Sequence, residues 1–147
     1  MSERQRSTTG AIDALQAALA AEHAAVYVYG VLGGRTSASQ EPTLADSLRS
    51  AYDAHETARD TLAARVAAAG ADPVGAAAAY AIPSGIDSAS GVRRAALAVE
   101  QRCAATYLTQ VAETTGDDRR LMVSALGDAA VRELSFGGSP QALPGTA

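Results

Sequence analysis

The most informative stretch of this chain is Leu19-Ala-Ala-Glu22-His23-Ala-Ala-Val26-Tyr27-Val28-Tyr29-Gly30. Around it, apolar residues recur in alternating steps of three and four, as on the inner face of a helix in a bundle. These residues are Ile12, Leu15, Leu19, Val26 and Tyr29. Glu22 falls in the middle of this apolar line. Because an unpartnered carboxylate in a core costs several kcal/mol, Glu22 must face a cation, a metal or a hydrogen-bond donor on another helix.

The composition indicates one all-α domain of closely packed helices. The chain has 147 residues, of which 36 are alanine, and only 4% of its residues are aromatic. This composition favours helices over a sheet of β-branched and aromatic residues. The net charge is −4 and the basic residues are scattered. We therefore expect neither nucleic acid nor a membrane surface as a partner.

The location predicted for the protein is cytoplasmic. The single Cys103 cannot form an internal disulfide, and its apolar flanks predict a reduced, buried thiol. The residues up to Thr9 lead into polar positions instead of the apolar segment of a signal peptide. The longest nearly apolar run, residues 24–32, is much shorter than the roughly 20 residues that span a bilayer.

Apolar periodicity and capping signals predict four helices. Their expected bounds are 10–33, 42–69, 89–115 and 118–136. Residues 1–8 are polar and expected to be disordered, the bundle is expected over 9–138, and the tail 139–147 is expected to be irregular.

The connection between helices 2 and 3 predicts the topology of the bundle. Residues 71–87 contain two prolines and two glycines. This segment is too long for a turn between neighbouring helices and suits a crossover that runs the length of the bundle. We therefore expect helices 2 and 3 to be parallel, and helices 1 and 2, like 3 and 4, to be antiparallel.

Polar residues interrupt the inner faces of the other helices as well. His55 falls on the apolar line of helix 2, and Arg59 follows one turn later on the same side. A lone histidine on an inner face is more often a hydrogen-bonded core residue than a metal ligand. His23 and Glu56 lie beside these inner positions and are expected to be flanking or surface residues, with their roles left open.

Helix 3 repeats helix 1, and helix 4 repeats helix 2. An offset of 78 residues relates these pairs: Glu22 and Glu100, Tyr29 and Tyr107, His55 and Glu133. Two helical hairpins, each with an inward polar residue at the same height, account for this pattern.

Several short motifs, taken together and in order, give this chain a resemblance to a known family. They are Ala21-Glu22-His23-Ala24 with Tyr27, Tyr29 and Gly30, then His55 with Arg59, then Glu100, then residues 114–119. From about residue 11 to residue 136 the chain resembles the ferritin-like superfamily, and more narrowly an alanine-rich actinobacterial family of ferritin-like proteins without established function. The resemblance implies a ferritin-like four-helix bundle with one long crossover between helices 2 and 3. Active members of the superfamily hold two metals with one Glu from each of two helices and a Glu-x-x-His from each of the others.

The sequence departs from that metal-binding pattern at both histidines. Helix 2 offers Glu56-x-x-Arg59, and helix 4 offers Glu133-x-x-Phe136. A guanidinium carries a fixed positive charge and has no lone pair for a metal, so Arg59 would repel a divalent ion at that position.

Two hypotheses follow for the inward polar residues, and they name different sets. A buried polar network would consist of Glu22, His55, Arg59 and Glu100, with no cofactor. A reduced site for iron or manganese would consist of Glu22, His55, Glu100 and Glu133. The network hypothesis describes a non-catalytic bundle. The metal-site hypothesis describes a metal-dependent oxidoreductase or an iron-handling protein. A third hypothesis is that a small organic ligand binds between the helices. We favour the network, and whether the protein is an enzyme stays open.

Helix 1 also predicts self-association. Apolar residues lie outside its inner line, namely Ala20, Ala24, Tyr27, Val28 and Val31. An apolar face of this size exceeds what one bundle interior covers, and such a face usually marks an interface. We therefore expect a homodimer through helix 1.

Overall fold

The computed structural model describes residues 2–146, which form four α-helices and no β-strand. The helices are α1 (Glu3–Gly34), α2 (Pro42–Ala68), α3 (Ala89–Glu113) and α4 (Gly116–Ser135). The predicted all-α class and the number of helices are confirmed. The described part of the tail, residues 139–146, contains no helix.

The start of α1 corrects one prediction. Because α1 begins at Glu3, the disorder expected for residues 1–8 is wrong for the described part, and Met1 lies outside the described residues. The physical reason is a capping box. The Ser2 hydroxyl accepts a hydrogen bond from the Gln5 backbone N–H at 3.3 Å, and the Gln5 side chain accepts one from the Ser2 backbone N–H at 2.8 Å.

Helix α1 packs against both α2 and α3. Tyr29 near the end of α1 reaches Glu100 of α3, while Glu22 in the middle of α1 reaches Tyr107 further along α3. These pairs run in opposite directions, so α1 and α3 are antiparallel. Arg119 near the start of α4 likewise contacts the backbone near the end of α3.

Helix α2 is antiparallel to α1 as well. Its His55 lies beside Glu22, and Tyr52, earlier in α2, lies beside Gly30, later in α1. Helices α2 and α3 are therefore parallel, which confirms the predicted topology. Residues 69–88, called the crossover below, connect the end of α2 to the start of α3 at the opposite end of the bundle.

The crossover lies along the outward face of α1. The Gln16 side chain accepts a hydrogen bond from the Val74 backbone N–H at 2.8 Å, and His23 Nε2 lies 2.9 Å from the Val74 carbonyl oxygen. Further on, the Tyr27 and Tyr80 rings pack with their centroids 5.5 Å apart. Part of the apolar face that motivated the homodimer prediction is thus covered within the chain, and the homodimer stays a prediction.

The core consists of aliphatic side chains from all four helices. The largest fully buried side chains among them are Leu15, Leu19, Leu32, Leu48, Leu62, Val66, Val92 and Met122. At the end of α4, Leu134 is 46% exposed and Phe136 is buried. Because α4 ends at Ser135, the chain turns there and carries the Phe136 ring to within 6.0 Å of the Tyr29 ring.

By length and composition, α1 is long and apolar enough to cross a membrane. In this fold its central residues face other helices, and Glu22 near its middle is only 1% exposed. The apolar residues of α1 are thus partly buried in the core that the helices share.

Candidate functional site

Three polar residues meet in the middle of the apolar core. Glu22 of α1, His55 of α2 and Glu100 of α3 are 1%, 1% and 0% exposed. Each occupies an inner position of its helix, which is the periodicity that singled them out in the sequence. The structure therefore brings together these three of the predicted site residues.

The His55 ring bridges the two carboxylates. Its Nδ1 lies 2.5 Å from Glu22 Oε2, and its Nε2 lies 2.9 Å from Glu100 Oε1. Burial alone would lower the pKa of His55, but the hydrogen bonds to Glu100 and Glu22 outweigh it and raise the pKa to about 9. At neutral pH His55 is therefore an imidazolium that donates from both nitrogens.

Two tyrosine hydroxyls also donate hydrogen bonds to the carboxylates, each to the glutamate of the other helix. The Tyr29 hydroxyl of α1 donates to Glu100 Oε1 at 2.5 Å, and the Tyr107 hydroxyl of α3 donates to Glu22 Oε1. Burial, reinforced by the neighbouring carboxylates, raises the pKa of both phenols far above the ordinary value. Both hydroxyls therefore stay protonated and act as donors. Each half of the internal repeat thus supplies a tyrosine to the carboxylate of the other half.

The second cation of the cluster comes from α4. Arg132 Nε donates to Glu100 Oε2 at 3.0 Å, and the Arg132 side chain is 21% exposed. Burial alone would raise the pKa of Glu100, but the contacts with His55 and Arg132 outweigh it and lower that pKa. Glu100 is therefore ionised at neutral pH.

The expectation for Arg59 must be corrected. Its guanidinium pairs with Asp60 at 2.9 Å and with Glu56 at 3.5 Å, and its side chain is 27% exposed. A long, flexible side chain one turn from His55 reaches the helix surface, where two acidic neighbours hold it at a lower desolvation cost. The guanidinium that enters the cluster is that of Arg132.

Glu133 and Cys103 lie near the cluster in different ways. Glu133 is buried, but its carboxylate forms no hydrogen bond within residues 2–146. Burial, with the charge of Glu100, raises the pKa of Glu133. Cys103 is a free, buried thiol, and one ligand atom of each of Cys103, Glu22 and His55 lies within 4.8 Å of the others. The structure thus places a sulfur, not Glu133, beside Glu22 and His55.

Charge and hydrogen bonds balance within the cluster. Two carboxylates face one imidazolium and one guanidinium, and every carboxylate oxygen of Glu22 and Glu100 accepts at least one hydrogen bond. Such a cluster avoids the cost of an uncompensated buried charge. We refer to Glu22, Tyr29, His55, Glu100, Tyr107 and Arg132 as the central network.

The central network is reached from outside between α2 and α4. A cavity of about 310 Å³ opens between these two helices and is lined by Glu22, Tyr107 and Arg132. A second cavity, of about 320 Å³, lies elsewhere in the bundle. Hydroxyl-bearing residues such as Thr57 and Ser124 line the walls of the first cavity. Small polar species therefore have a route to the edge of the network.

Comparison with known proteins identifies the family. Residues 14–147 match the family described as a domain of unknown function, DUF4439. The chain belongs to the DUF4439 family. The chain is also similar to a solved structure, the crystal structure of a conserved hypothetical protein, rv2844, from Mycobacterium tuberculosis. It is 28% identical, covers 92% of this chain and 96% of its own, and superposes with a TM-score of 0.81. No curated protein matches.

Sequence reasoning missed three members of the central network. Tyr29 and Tyr107 were visible through the internal repeat, since each follows a repeated glutamate by seven residues, or two turns along the same helix face. That they cross over to the opposite glutamate could not be seen before the helices were packed. Arg132 had no such signal, because it adjoins the inner residue Glu133 and has no counterpart in the internal repeat.

Proposed function

We propose that this DUF4439 protein is a ferritin-like four-helix bundle in which the central network occupies the place of a metal centre. In this proposal the protein has no metal-dependent catalysis and acts by binding other molecules. The observation that carries it is the occupation of every oxygen of Glu22 and Glu100 by a donor from the chain itself.

The residues present do not fit a dinuclear metal centre. Such a centre takes two histidines from Glu-x-x-His motifs, and the corresponding motifs here end in Arg59 and Phe136. His55 is hydrogen-bonded to both carboxylates, which raises its pKa, so it would have to lose a proton before it could offer a lone pair to a metal. Arg132 already neutralises charge on Glu100 that a metal would otherwise balance.

The proposal predicts that metal does not co-purify with the protein. Protein prepared without chelator should hold well under one iron or manganese per chain when its metals are measured by mass spectrometry. Ferrous iron added in air should be oxidised no faster than in buffer. Two irons per chain, or rapid oxidation with a new absorption band, would show that the carboxylates serve a metal and that the proposal is wrong.

A pair of arginine variants provides a matched test of the network. Arg132→Ala removes one partner of a buried carboxylate and should lower the free energy of unfolding by about 3 kcal/mol. Arg59→Ala removes a cation held at the surface and should cost less than about 1 kcal/mol. Urea denaturation of both variants gives the comparison. Equal losses would show that Arg132 has no special role.

A single-ion site is the second candidate, which one observation favours. Glu22, His55 and Cys103 each bring a ligand atom within 4.8 Å of the others. Such a site would serve an iron- or manganese-handling protein, but both His55 and Cys103 would have to lose a proton. Burial, followed by the charges of Glu22 and Glu100, raises the pKa of Cys103 well above its ordinary value. Cobalt binding that strengthens with pH and disappears in Cys103→Ser would support this candidate over the network.

A further inference from the structure

We propose that the cavity between α1, α3 and the crossover binds a small apolar molecule with one anionic head group. This cavity has a volume of about 320 Å³ and lies on the side of α1 that faces away from α2. In this proposal the apolar part of the ligand lies on an alanine-rich floor and the head group meets Arg102. Cys103 lines this cavity and also lies beside Glu22 and His55, but the proposed contact with Arg102 does not depend on whether the central network binds a metal.

The floor of the cavity is apolar because small residues from two helices meet there. Helix α1 contributes Ala21, Ala24, Ala25 and Val28, and α3 contributes Val99. Alanine side chains cannot fill the groove between the two helices, so the groove stays open beneath the crossover. Ligand pockets in proteins share this character, with mostly apolar walls and a few polar groups that orient the ligand.

The charged residue that lines the cavity indicates the charge of the ligand. Arg102 lines the cavity and is exposed, and it forms no hydrogen bond or salt bridge with any residue in 2–146. Among the described lining residues it is the only one that is charged at neutral pH. Since most other arginines in this chain pair with a carboxylate, a free guanidinium beside an apolar groove matches an anion from outside.

Two hydroxyls near Arg102 provide further donors. Thr106 follows Arg102 by one helical turn and lines the same cavity, and its hydroxyl forms no hydrogen bond within residues 2–146. The Tyr80 hydroxyl accepts a hydrogen bond from the Ala77 backbone N–H at 2.8 Å, which leaves its own hydrogen to donate. The packing of Tyr80 on Tyr27 holds this wall in place.

The volume limits the size of the ligand. One water occupies roughly 30 Å³ of liquid, so the cavity accommodates about ten non-hydrogen atoms. Octanoate has this size, an apolar chain and a carboxylate, and it is the probe we choose. Octan-1-ol and octylamine have the same chain with a neutral and a cationic head group.

Calorimetric titration of the full chain tests the choice of head group. We expect octanoate to bind at one site and to bind at least about tenfold more tightly than octan-1-ol, with no binding of octylamine. Arg102→Gln should weaken octanoate binding by about tenfold. Arg94→Gln, which removes an exposed cation of the same helix outside the cavity, should leave it unchanged.

A second pair of variants tests the place of binding. Ala24→Leu fills the floor and should abolish octanoate binding, while Ala17→Leu, on an exposed position of the same helix outside the cavity, should not. Circular dichroism of each variant establishes that it is folded. Absence of octanoate binding at millimolar concentration, equal binding of octan-1-ol, or equal effects within either pair of variants would overturn the proposal. A failure here leaves the metal and stability tests of the central network unaffected.

Discussion

At the scale of single residues, the central network depends on one imidazole ring. Without a proton, His55 could donate to only one of the two carboxylates, and the other would lose a donor in the core. The protonated ring serves both, which is why burial fails to lower its pKa. The ring also packs on Tyr29, with centroids 5.2 Å apart, so its position is held from the side as well as through its nitrogens.

The raised pKa of His55 predicts a stability that falls with rising pH. The folded pKa of about 9 lies above the ordinary 6.5, so the stabilisation is fully present below about pH 6.5 and is lost as pH rises through 9. The expected loss across this window is about 3 kcal/mol. Urea denaturation between about pH 6 and pH 9.5 measures it, and nuclear magnetic resonance of the His55 ring should show the proton retained until about pH 9.

Two controls separate His55 from other groups. Burial also raises the pKa of Cys103, which weakens the fold at still higher pH, so the profile should be repeated with Cys103→Ser. The variant His55→Gln should lose the pH dependence between about pH 6.5 and pH 9. A wild-type profile that is flat in this window, or a His55 ring that titrates near its ordinary value, would contradict the assignment.

At the scale of elements, the start of α3 depends on a close backbone contact with the crossover. A Cβ atom at Gly91 would lie 1.7 Å from the carbonyl oxygen of Gly85. Gly85 itself has a φ of 74°, a left-handed conformation that glycine adopts at little cost. The end of the crossover can therefore lie directly on the first turn of α3, and the two glycines act together.

Two glycine-to-alanine substitutions in helices should have opposite effects. Gly91→Ala forces the crossover away from α3 and should lower the free energy of unfolding by roughly 1–3 kcal/mol. Gly127→Ala, in α4 with nothing within 4 Å of the added methyl, should raise it by about 0.5–1 kcal/mol through helix propensity. Thermal unfolding of both variants measures the difference. A stabilising Gly91→Ala would show that this contact is absent in solution.

At the scale of the whole molecule, the crossover determines which surfaces of α1 face water. It runs beside α1 from the level of Gln16 to that of Arg35, where Arg35 pairs with Asp87 at 3.3 Å. The crossover covers part of the outward face of α1 and forms one wall of the cavity between α1, α3 and the crossover. It leaves positions such as Ala20 and Gly30 exposed.

The apolar residues of α1 that the crossover leaves exposed allow a test of self-association. We expect a homodimer whose interface includes Ala20 and the neighbouring half-exposed apolar residues of α1. Sedimentation equilibrium at micromolar concentration should give twice the monomer mass, and Ala20→Glu should return the monomer mass because it places a charge in the interface. Only monomer in the unsubstituted protein would contradict this expectation.

Local patterns in the chain were sufficient for the helices and their order. Helical periodicity and capping depend on neighbours within a turn or two, so the four helices, the crossover and the inward positions of Glu22, His55 and Glu100 followed from the sequence. The first two turns of α1 were not predicted, because the capping signal of Ser2 and Gln5 lies in a wholly polar segment.

The partners of these inward residues were decided only when the helices packed. Arg59 and Arg132 both adjoin inner positions, and the choice between them depends on the rotation of α2 and α4 and on the surface carboxylates within reach. The crossed tyrosine pairs and the approach of Cys103 likewise join residues far apart in the chain. A periodic pattern gives the face on which a side chain lies, whereas the atom it meets depends on the relative position of two helices, which no single helix encodes.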